Sequence, residues 1–143
     1  MDGAVAAALL AELDADLDAR YGGGEGVVAD AAQFAPPSGR FAVAYVGELA
    51  LACAGFRRID DDTAELKRMY VRPAGRRRGL ARHLLSALES AAREAGYRSM
   101  WLETGVPQPE ARSLYESAGY TRIASFGQFA GEPLQRSYGK SLG

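Results

Sequence analysis

The chain has 143 residues, of which 48% are hydrophobic and 24% charged, a composition typical of one globular domain. Its 17 basic and 18 acidic residues give a net charge of −1, which argues against a protein that coats nucleic acid. One cysteine, Cys53, excludes an intrachain disulfide, and no apolar run reaches the roughly 20 residues that span a bilayer. We therefore expect one soluble, cytoplasmic domain over residues 1–143, without a metal site.

The first predicted element is a helix near the start of the chain. A run of glycines at 22–24 ends this helix. Its apolar residues recur at helical spacing: Leu9, Leu10, Leu13 and Leu17. The following stretch, through Gly39, has little periodicity. It is expected to be a loop that contains a short helix or strand.

Three strands are predicted next. Phe41–Val46 and Leu49–Arg57 are apolar runs separated by a Gly-Glu turn, which is typical of a β-hairpin. Thr63–Val71 alternates as a third strand, and Pro73 ends it. These strands predict an antiparallel sheet.

A helix is expected from Leu80 to the glycine at 96, with Glu89 and Arg93 spaced for an i,i+4 ion pair on its surface. Met100–Leu102 follows as a short buried strand, in which Met100 and Trp101 are expected to fill the core. The unit from Thr63 to Thr104 is then a parallel strand–helix–strand crossover.

Pro109 suits the first turn of another helix, which ends at Gly119. The tail, Tyr120–Leu142, has strand-like stretches broken by glycine and proline. The predicted fold is therefore mixed α/β, with a central, mostly antiparallel sheet and one parallel cofactor-binding unit.

The junction between the third strand and its helix carries the clearest chemical signal. Free N–H groups and the helix dipole make a helix start an anion site. Gly79 allows close approach of a ligand, and three arginines add positive charge: Arg76, Arg77 and Arg78. The expected guest is a diphosphate.

This loop, Arg76-Arg77-Arg78-Gly79-Leu80-Ala81, resembles the Arg/Gln-x-x-Gly-x-Gly/Ala signature of the GNAT superfamily of acyl-CoA-dependent N-acetyltransferases, in its small single-domain bacterial type. Gln108–Tyr120 resembles the family's Asn-x-x-Ala-x-x-Leu-Tyr-x-x-x-Gly-Phe element, with Gln108 in place of Asn. The matches cover about Phe41 to Tyr120. They imply an enzyme that transfers the acetyl group of acetyl-CoA directly to a primary amine.

The resemblance also implies roles for particular residues. Main-chain groups of Met69, Tyr70 and Val71 would hold the acetyl carbonyl and the pantetheine arm. Gln108 would contact acetyl-CoA, and the pyrophosphate would bind to a run of backbone N–H groups: Arg76, Arg77, Arg78, Gly79, Leu80, Ala81 and Arg82.

Two further residues match catalytic positions of the family. Glu65 would be the general base, although other members use another residue or a water chain, and Tyr115 would protonate the leaving thiolate. A base is useful because an alkylamine of pKa near 10.4 is only about 0.04% neutral at pH 7. Cys53 lies outside the motif, so an acyl-cysteine intermediate is not expected.

Several alternatives stay open from sequence. The chain could be a non-catalytic acyl-CoA-binding regulatory module, or it could acetylate a protein or peptide amine rather than a small molecule. A homodimer is an expectation of the family. Four basic residues on the strands could attract an acidic acceptor or lie at a solvated sheet edge: Arg57, Arg58, Lys67 and Arg68.

Overall fold

The computed structural model describes residues 36–105, 109–124 and 135–143, together with Ala8, Glu12 and Phe34. The described strands and helices have these bounds: β1 Arg40–Val46, β2 Leu49–Arg58, β3 Thr63–Val71, α1 Leu80–Glu94, β4 Ser99–Gly105, α2 Pro109–Ser117, β5 Thr121–Arg122 and β6 Gln135–Ser141. The hairpin, the third strand and both later helices are confirmed where the sequence predicts them. Apart from Ala8 and Glu12, which are helical, the first predicted helix lies outside the described residues, as do most of the loop after it and residues 125–134 of the tail.

The described strands form one sheet in the order β1-β2-β3-β4-β6-β5. Only β3 and β4 are parallel, and the other neighbouring pairs are antiparallel. Because β3 is followed by α1 and then β4, the parallel pair is the predicted strand–helix–strand unit. The mixed α/β fold with a mostly antiparallel sheet is therefore confirmed.

One face of the sheet packs against the helices. Inward-facing side chains of α1 repeat at helical spacing and meet alternate residues of the strands, because strand side chains alternate between faces. The central members of this core are Leu84, Leu85 and Leu88 of α1 with Phe56, Leu66, Leu102 and Tyr138 of the sheet. Gly96, with φ of +100°, lies just past the end of α1, as expected.

The predicted surface pair between Glu89 and Arg93 is wrong. Glu89 is buried and binds two residues from the end of the chain: Tyr120 donates to Oε2 at 2.9 Å and Lys140 to Oε1 at 3.1 Å. Arg93 Nε instead donates to the carbonyl of Leu142 at 2.6 Å. Tertiary partners have replaced the local pair on this helix.

The opposite face of the sheet carries a separate group of charged side chains. Arg57 pairs across the strands with Glu65, and Glu65 with Trp101, so these three residues share that face. Trp101 is half-buried there, and a Cβ added to Gly139 would lie 2.9 Å from its ring. The prediction that Met100 fills the core is confirmed, but Trp101 lies on the other side of the sheet.

Within the described residues, no helix is both long enough and apolar enough to cross a membrane. Cys53 is completely buried in β2, as expected of a small core residue. Burial raises the pKa of its thiol to about 12, so the side chain remains a neutral thiol near neutral pH.

Candidate active site

The sheet splits between its two parallel strands. In the described part of the chain, β3 and β4 pair over four positions, and the last pair joins Leu66 to Leu102. Beyond it, β3 continues to Val71 beside β2, while β4 continues to Gly105 beside β6. A cleft therefore opens between the carboxyl ends of β3 and β4.

A β-bulge lies in β3 at this cleft. The register between β2 and β3 shifts between Cys53 and Gly55, and the extra residue is on β3. Arg68, in this segment, has φ of +64°, which is unusual for a residue with a side chain. A bulge bends its strand and redirects the groups beyond it. Met69, which the resemblance assigns to the acetyl carbonyl, directly follows Arg68.

The loop after β3 is compact. Pro73–Gly75 forms one turn of 3-10 helix, and Gly75 is buried where a Cβ would lie 2.9 Å from that of Leu51. Arg77 and Gly79 have positive φ values of +63° and +76°. The chain thus reverses tightly and starts α1 beside the carboxyl end of β3.

The start of α1 is an open anion site. Gly79 is the N-cap, makes no side-chain capping bond, and no acidic residue occupies the first turn. The N–H of His83 donates to the carbonyl of Gly79 at 3.0 Å, but helix geometry leaves the N–H groups of residues 80–82 without an intrahelical acceptor. A Cβ at Gly79 would meet no atom within 4 Å, so a ligand has room to approach. These features fit a pyrophosphate.

The arginines around this site differ in their contacts. Arg76 Nε donates to the carbonyl of Val71 at 3.1 Å, which ties the loop back to β3. Arg82 donates to Ser117 Oγ at the end of α2, so the two helices meet beside the anion site. Arg77 and Arg78 are exposed. The backbone N–H groups therefore form the fixed part of the site, and the exposed arginines add charge around it.

Tyr70 and Gln108 complete the set that the resemblance assigns to acetyl-CoA. The Tyr70 side chain is buried beside Cys53 and Ala50, and its hydroxyl donates to Glu12 Oε1 at 3.4 Å. Only its main chain is therefore placed to face the cleft. Gln108 lies outside the described residues.

Tyr115 lies on α2, which packs against β4. Its side chain is 5% exposed, and its ring meets that of Tyr120 edge-on at a centroid distance of 5.8 Å. The hydroxyl of Tyr115 has no hydrogen-bond partner within the described residues. Burial raises the pKa of Tyr115, so the group keeps its proton near neutral pH.

Glu65, the carboxylate that the sequence singles out, is held by two cations. It is 4% exposed; Arg57 Nε and Nη2 both lie 2.9 Å from Oε1, and Lys67 Nζ lies 3.6 Å from Oε2. Oε1 therefore accepts from Arg57, and Lys67 places a positive charge near Oε2. Glu65 is thus a buried anion in an ion-pair cluster on the face of the sheet opposite α1.

Glu103 is a second carboxyl that sequence reasoning missed. It lies on β4 one residue beyond the last β3–β4 pair, because β4 is longer than the predicted strand Met100–Leu102. Its Oε1 is buried and has no hydrogen-bond partner among the described residues. Burial, and next the negative charge of Glu65, raise the pKa of Glu103 to about 7. Period-two alternation from Glu65 and Trp101 could have placed it on this face.

The basic strand residues are engaged within the protein. Arg57 and Lys67 pair with Glu65, and Arg58 pairs with Asp61 at the exposed turn. Arg68 lies in the bulge. Such contacts favour a structural role over the attraction of an acidic acceptor. His83 is exposed near the start of α1, and no cluster of three metal-ligating side chains occurs in the described residues.

The sequence profile of the Acetyltransferase (GNAT) family matches residues 8–120. The chain belongs to this family. A protein named IAA acetyltransferase from Azospirillum brasilense is 35% identical over 136 residues, covering 94% of this chain and 88% of the relative. The GNAT prediction from the loop and the Gln108–Tyr120 segment is therefore confirmed.

Solved structures agree with the GNAT assignment. A Klebsiella pneumoniae crystal structure, described as an acyl-CoA N-acyltransferase, superimposes with a TM-score of 0.84 and 30% identity, covering 98% of this chain and 91% of the other. The yncA structure from Salmonella typhimurium contains acetyl-CoA, with a TM-score of 0.60, 26% identity and coverage of 72% and 64%. This GNAT protein is an acetyl-CoA-dependent N-acetyltransferase that acts on an amine acceptor.

Proposed function

We propose that this GNAT protein transfers the acetyl group of acetyl-CoA directly to the primary amine of a small molecule, in a ternary complex at the cleft between β3 and β4. The observation that carries the proposal is the parting of β3 and β4 after Leu66 and Leu102, beside the uncapped start of α1. A thioester bound along this cleft has its phosphates at a helix N-terminus and its reactive carbon between two strand ends.

The cosubstrate is held mainly by main-chain groups. The N–H groups of residues 77–82 bind the pyrophosphate, as the open N-cap of α1 supports, whereas the N–H of Arg76 already donates to the carbonyl of Pro73 at 3.3 Å. The main chain of Met69 and Val71, past the bulge, binds the acetyl carbonyl and the pantetheine arm. A strand N–H aimed at the carbonyl oxygen stabilises the negative charge that develops there when the amine attacks.

The acceptor amine must lose a proton before or during attack. Glu65 and Glu103 are the two candidates for taking it. Glu65 is engaged by Arg57 and Lys67, whereas Oε1 of Glu103 is buried without a described partner at the edge of the cleft. The pKa of Glu103, about 7, also lies close to neutral pH, where a general base is most effective. We therefore assign the proton acceptor to Glu103, directly or through one water.

Tyr115 assists departure of CoA. When the C–S bond breaks, the sulfur gains an electron pair, and a buried hydroxyl that keeps its proton can donate to it. The proton removed from the amine and the proton given to sulfur balance over the reaction. Neutral Cys53 takes no part, in agreement with direct transfer.

A small acceptor is favoured by the charges around the cleft. The two described cations beside Glu65, Arg57 and Lys67, are half-buried and paired with this carboxylate, so neither is placed to dock a protein tail. The relative from Azospirillum brasilense is named for transfer to IAA. A protein or peptide amine is the other outcome that the test below distinguishes.

Release of CoA thiol from acetyl-CoA tests the proposal. The purified protein is assayed with pooled amines: polyamines, amino acids, aminoglycosides, arylamines and, separately, short peptides. We expect CoA release that depends on one of the small-molecule pools. The product should be about 42 Da heavier than the amine, because an acetyl group replaces one hydrogen. Release with peptides alone would replace the small-molecule acceptor by a protein amine, and tight acetyl-CoA binding without any release would contradict transfer to these amines.

A further inference from the structure

Four charged side chains cluster beside the cleft, on the face of the sheet opposite α1. Arg57 is on β2, Glu65 and Lys67 are on β3, and Glu103 is on β4. Register places Glu65 beside Trp101, so Glu103 is its diagonal neighbour two residues farther along β4. The cluster contains two carboxyls and two cations within one small area.

The two carboxyls have unequal partners. Glu65 takes both cations: Arg57 binds Oε1 at 2.9 Å from two nitrogens, and Lys67 lies 3.6 Å from Oε2. Glu103 has no hydrogen-bond partner for its buried Oε1 in the described part of the chain. Its electrostatic surroundings are therefore set by neighbours that are bonded to Glu65 rather than to it.

Among the described residues, the charges that face Glu103 come from two strands. From β3 they are Glu65 and Lys67, and from β2 Arg57. Directly across on β6 lies Ser137, which is uncharged, and α1 and α2 cover the other face of the sheet. Within the described residues, Glu65 is thus the one negative charge that opposes ionisation of Glu103.

We propose that Glu65 is a positioning residue that acts through Glu103: by holding Arg57 and Lys67 to itself, it sets the pH range in which Glu103 accepts the proton of the acceptor amine. This inference rests on the proposed function, because it takes Glu103 as the proton acceptor. It gives Glu65 a role that needs no contact with substrate.

The sign of each effect follows from charge alone. Without the negative charge of Glu65, Arg57 and Lys67 face Glu103 unopposed and stabilise its ionised form. Without the positive charge of Lys67, the ionised form loses a favourable neighbour. Glu65→Gln therefore lowers the pH at which Glu103 ionises, and Lys67→Gln raises it.

The test combines a titration with kinetics. The carboxyl of Glu103 is followed by carbon NMR against pH in the wild type, Glu65→Gln and Lys67→Gln, and kcat/KM is measured over the same pH range. The acceptor is an arylamine, whose own ionisation lies below this range. Asp61→Asn removes an exposed carboxylate at the turn and is the matched control, since it changes net charge by the same amount.

We expect Glu65→Gln to lower the ionisation midpoint of Glu103 by about one pH unit. Lys67→Gln should raise it, and Asp61→Asn should leave it in place. The acidic limb of kcat/KM should move with the midpoint, and Glu103→Gln should reduce kcat by about 100-fold or more. Circular dichroism identifies a variant that fails to fold, and Lys67→Gln then still tests the coupling.

Two results would overturn the inference. An unchanged Glu103 midpoint in folded Glu65→Gln and Lys67→Gln would show that the cluster does not control it. Loss of activity in Glu65→Gln, with full activity in Glu103→Gln, would make Glu65 the proton acceptor. By contrast, a wild type that acetylates no amine would contradict the proposed function alone, because the NMR titration reads the coupling without turnover.

Discussion

The guanidinium of Arg72 lies against the carboxylate of Glu12, 60 residues earlier in the chain, with 2.6 Å between Nη2 and Oε2. Arg72 Nε also donates to both oxygens of Glu12, at 3.0 and 2.8 Å, and Nη1 donates to the carbonyl of Ala50 at 2.8 Å. Arg72 is the residue between β3 and the turn that begins the anion site. One side chain therefore joins the start of the chain to the loop that we propose binds the cosubstrate.

Glu12→Gln should destabilise the protein by about 1 kcal/mol at pH 7, because it removes the charge from a multiply bonded but half-exposed pair. The Arg72 guanidinium lowers the pKa of Glu12, so this stabilisation is present above the ordinary pKa and is lost as pH falls through the lowered one. Thermal unfolding of both proteins from neutral pH down to about pH 2 measures it. A stability difference that stays constant over this range would contradict the ion pair.

Gly79→Ala should weaken acetyl-CoA binding more than it weakens the fold. A residue with a side chain at φ of +76° costs about 1–2 kcal/mol, and the new Cβ points into the space where a phosphate would approach. Gly96→Ala is the matched control, since Gly96 also has positive φ and no atom within 4 Å of an added Cβ, but lies at the far end of α1. Calorimetric titration with CoA should show the loss in Gly79→Ala only. Equal losses in both variants would point to a general effect of strain.

Tyr115→Phe should lower kcat by about 10-fold or more while the KM for acetyl-CoA changes little, because only the hydroxyl is removed. Tyr97→Phe is the control: its hydroxyl donates to the carbonyl of Ser38 at 2.7 Å, and Tyr97 follows the end of α1. It should lose about 1 kcal/mol of stability and keep its activity. Steady-state kinetics measure this change. An unaltered kcat in Tyr115→Phe would show that the hydroxyl takes no part in the reaction.

Glu103 should also leave a signature in stability against pH. The ordinary pKa of its carboxyl is 4.5, and the folded protein raises it to about 7. Between these values the folded state binds more protons than the unfolded state, so the contribution of Glu103 to stability falls as pH rises. Glu103→Gln carries no such proton, and its melting temperature should fall less than that of the wild type between pH 4.5 and 7. Parallel curves for the two proteins would contradict the raised pKa.

The elements near the cleft follow closely from the sequence because their signals are local. Gly79 after an arginine run fixes the start of α1, and the alternation of Thr63–Val71 fixes β3. Each depends on residues that are neighbours in the chain, where turn geometry and period are readable. The GNAT resemblance adds the roles of these positions.

The missed contacts join residues far apart in the chain. Glu89 meets Lys140 rather than Arg93 because the fold brings the end of β6 beside the side chain of Glu89, which no helical spacing reveals. Glu12 and Arg72 are 60 residues apart. The position of Glu103 at the cleft depends on the register of β3 with β4, since the register decides which carboxyl lies beyond the last pair. The sequence shows which residue occupies a position, but the charges around that residue come from parts of the chain that only the fold brings together.

The antiparallel register of β6 has a practical consequence for handling the enzyme. Ser141 pairs with Ser99 and Gln135 with Gly105, so Ser141 lies at the end of β6 opposite the cleft. The N–H of Leu142 donates to the carbonyl of Arg98 at 2.8 Å, which anchors this end. A surface linker attached at Gly143 would therefore lie at the opposite end of the strands from the cleft, so that immobilised protein could report acetyl-CoA binding directly.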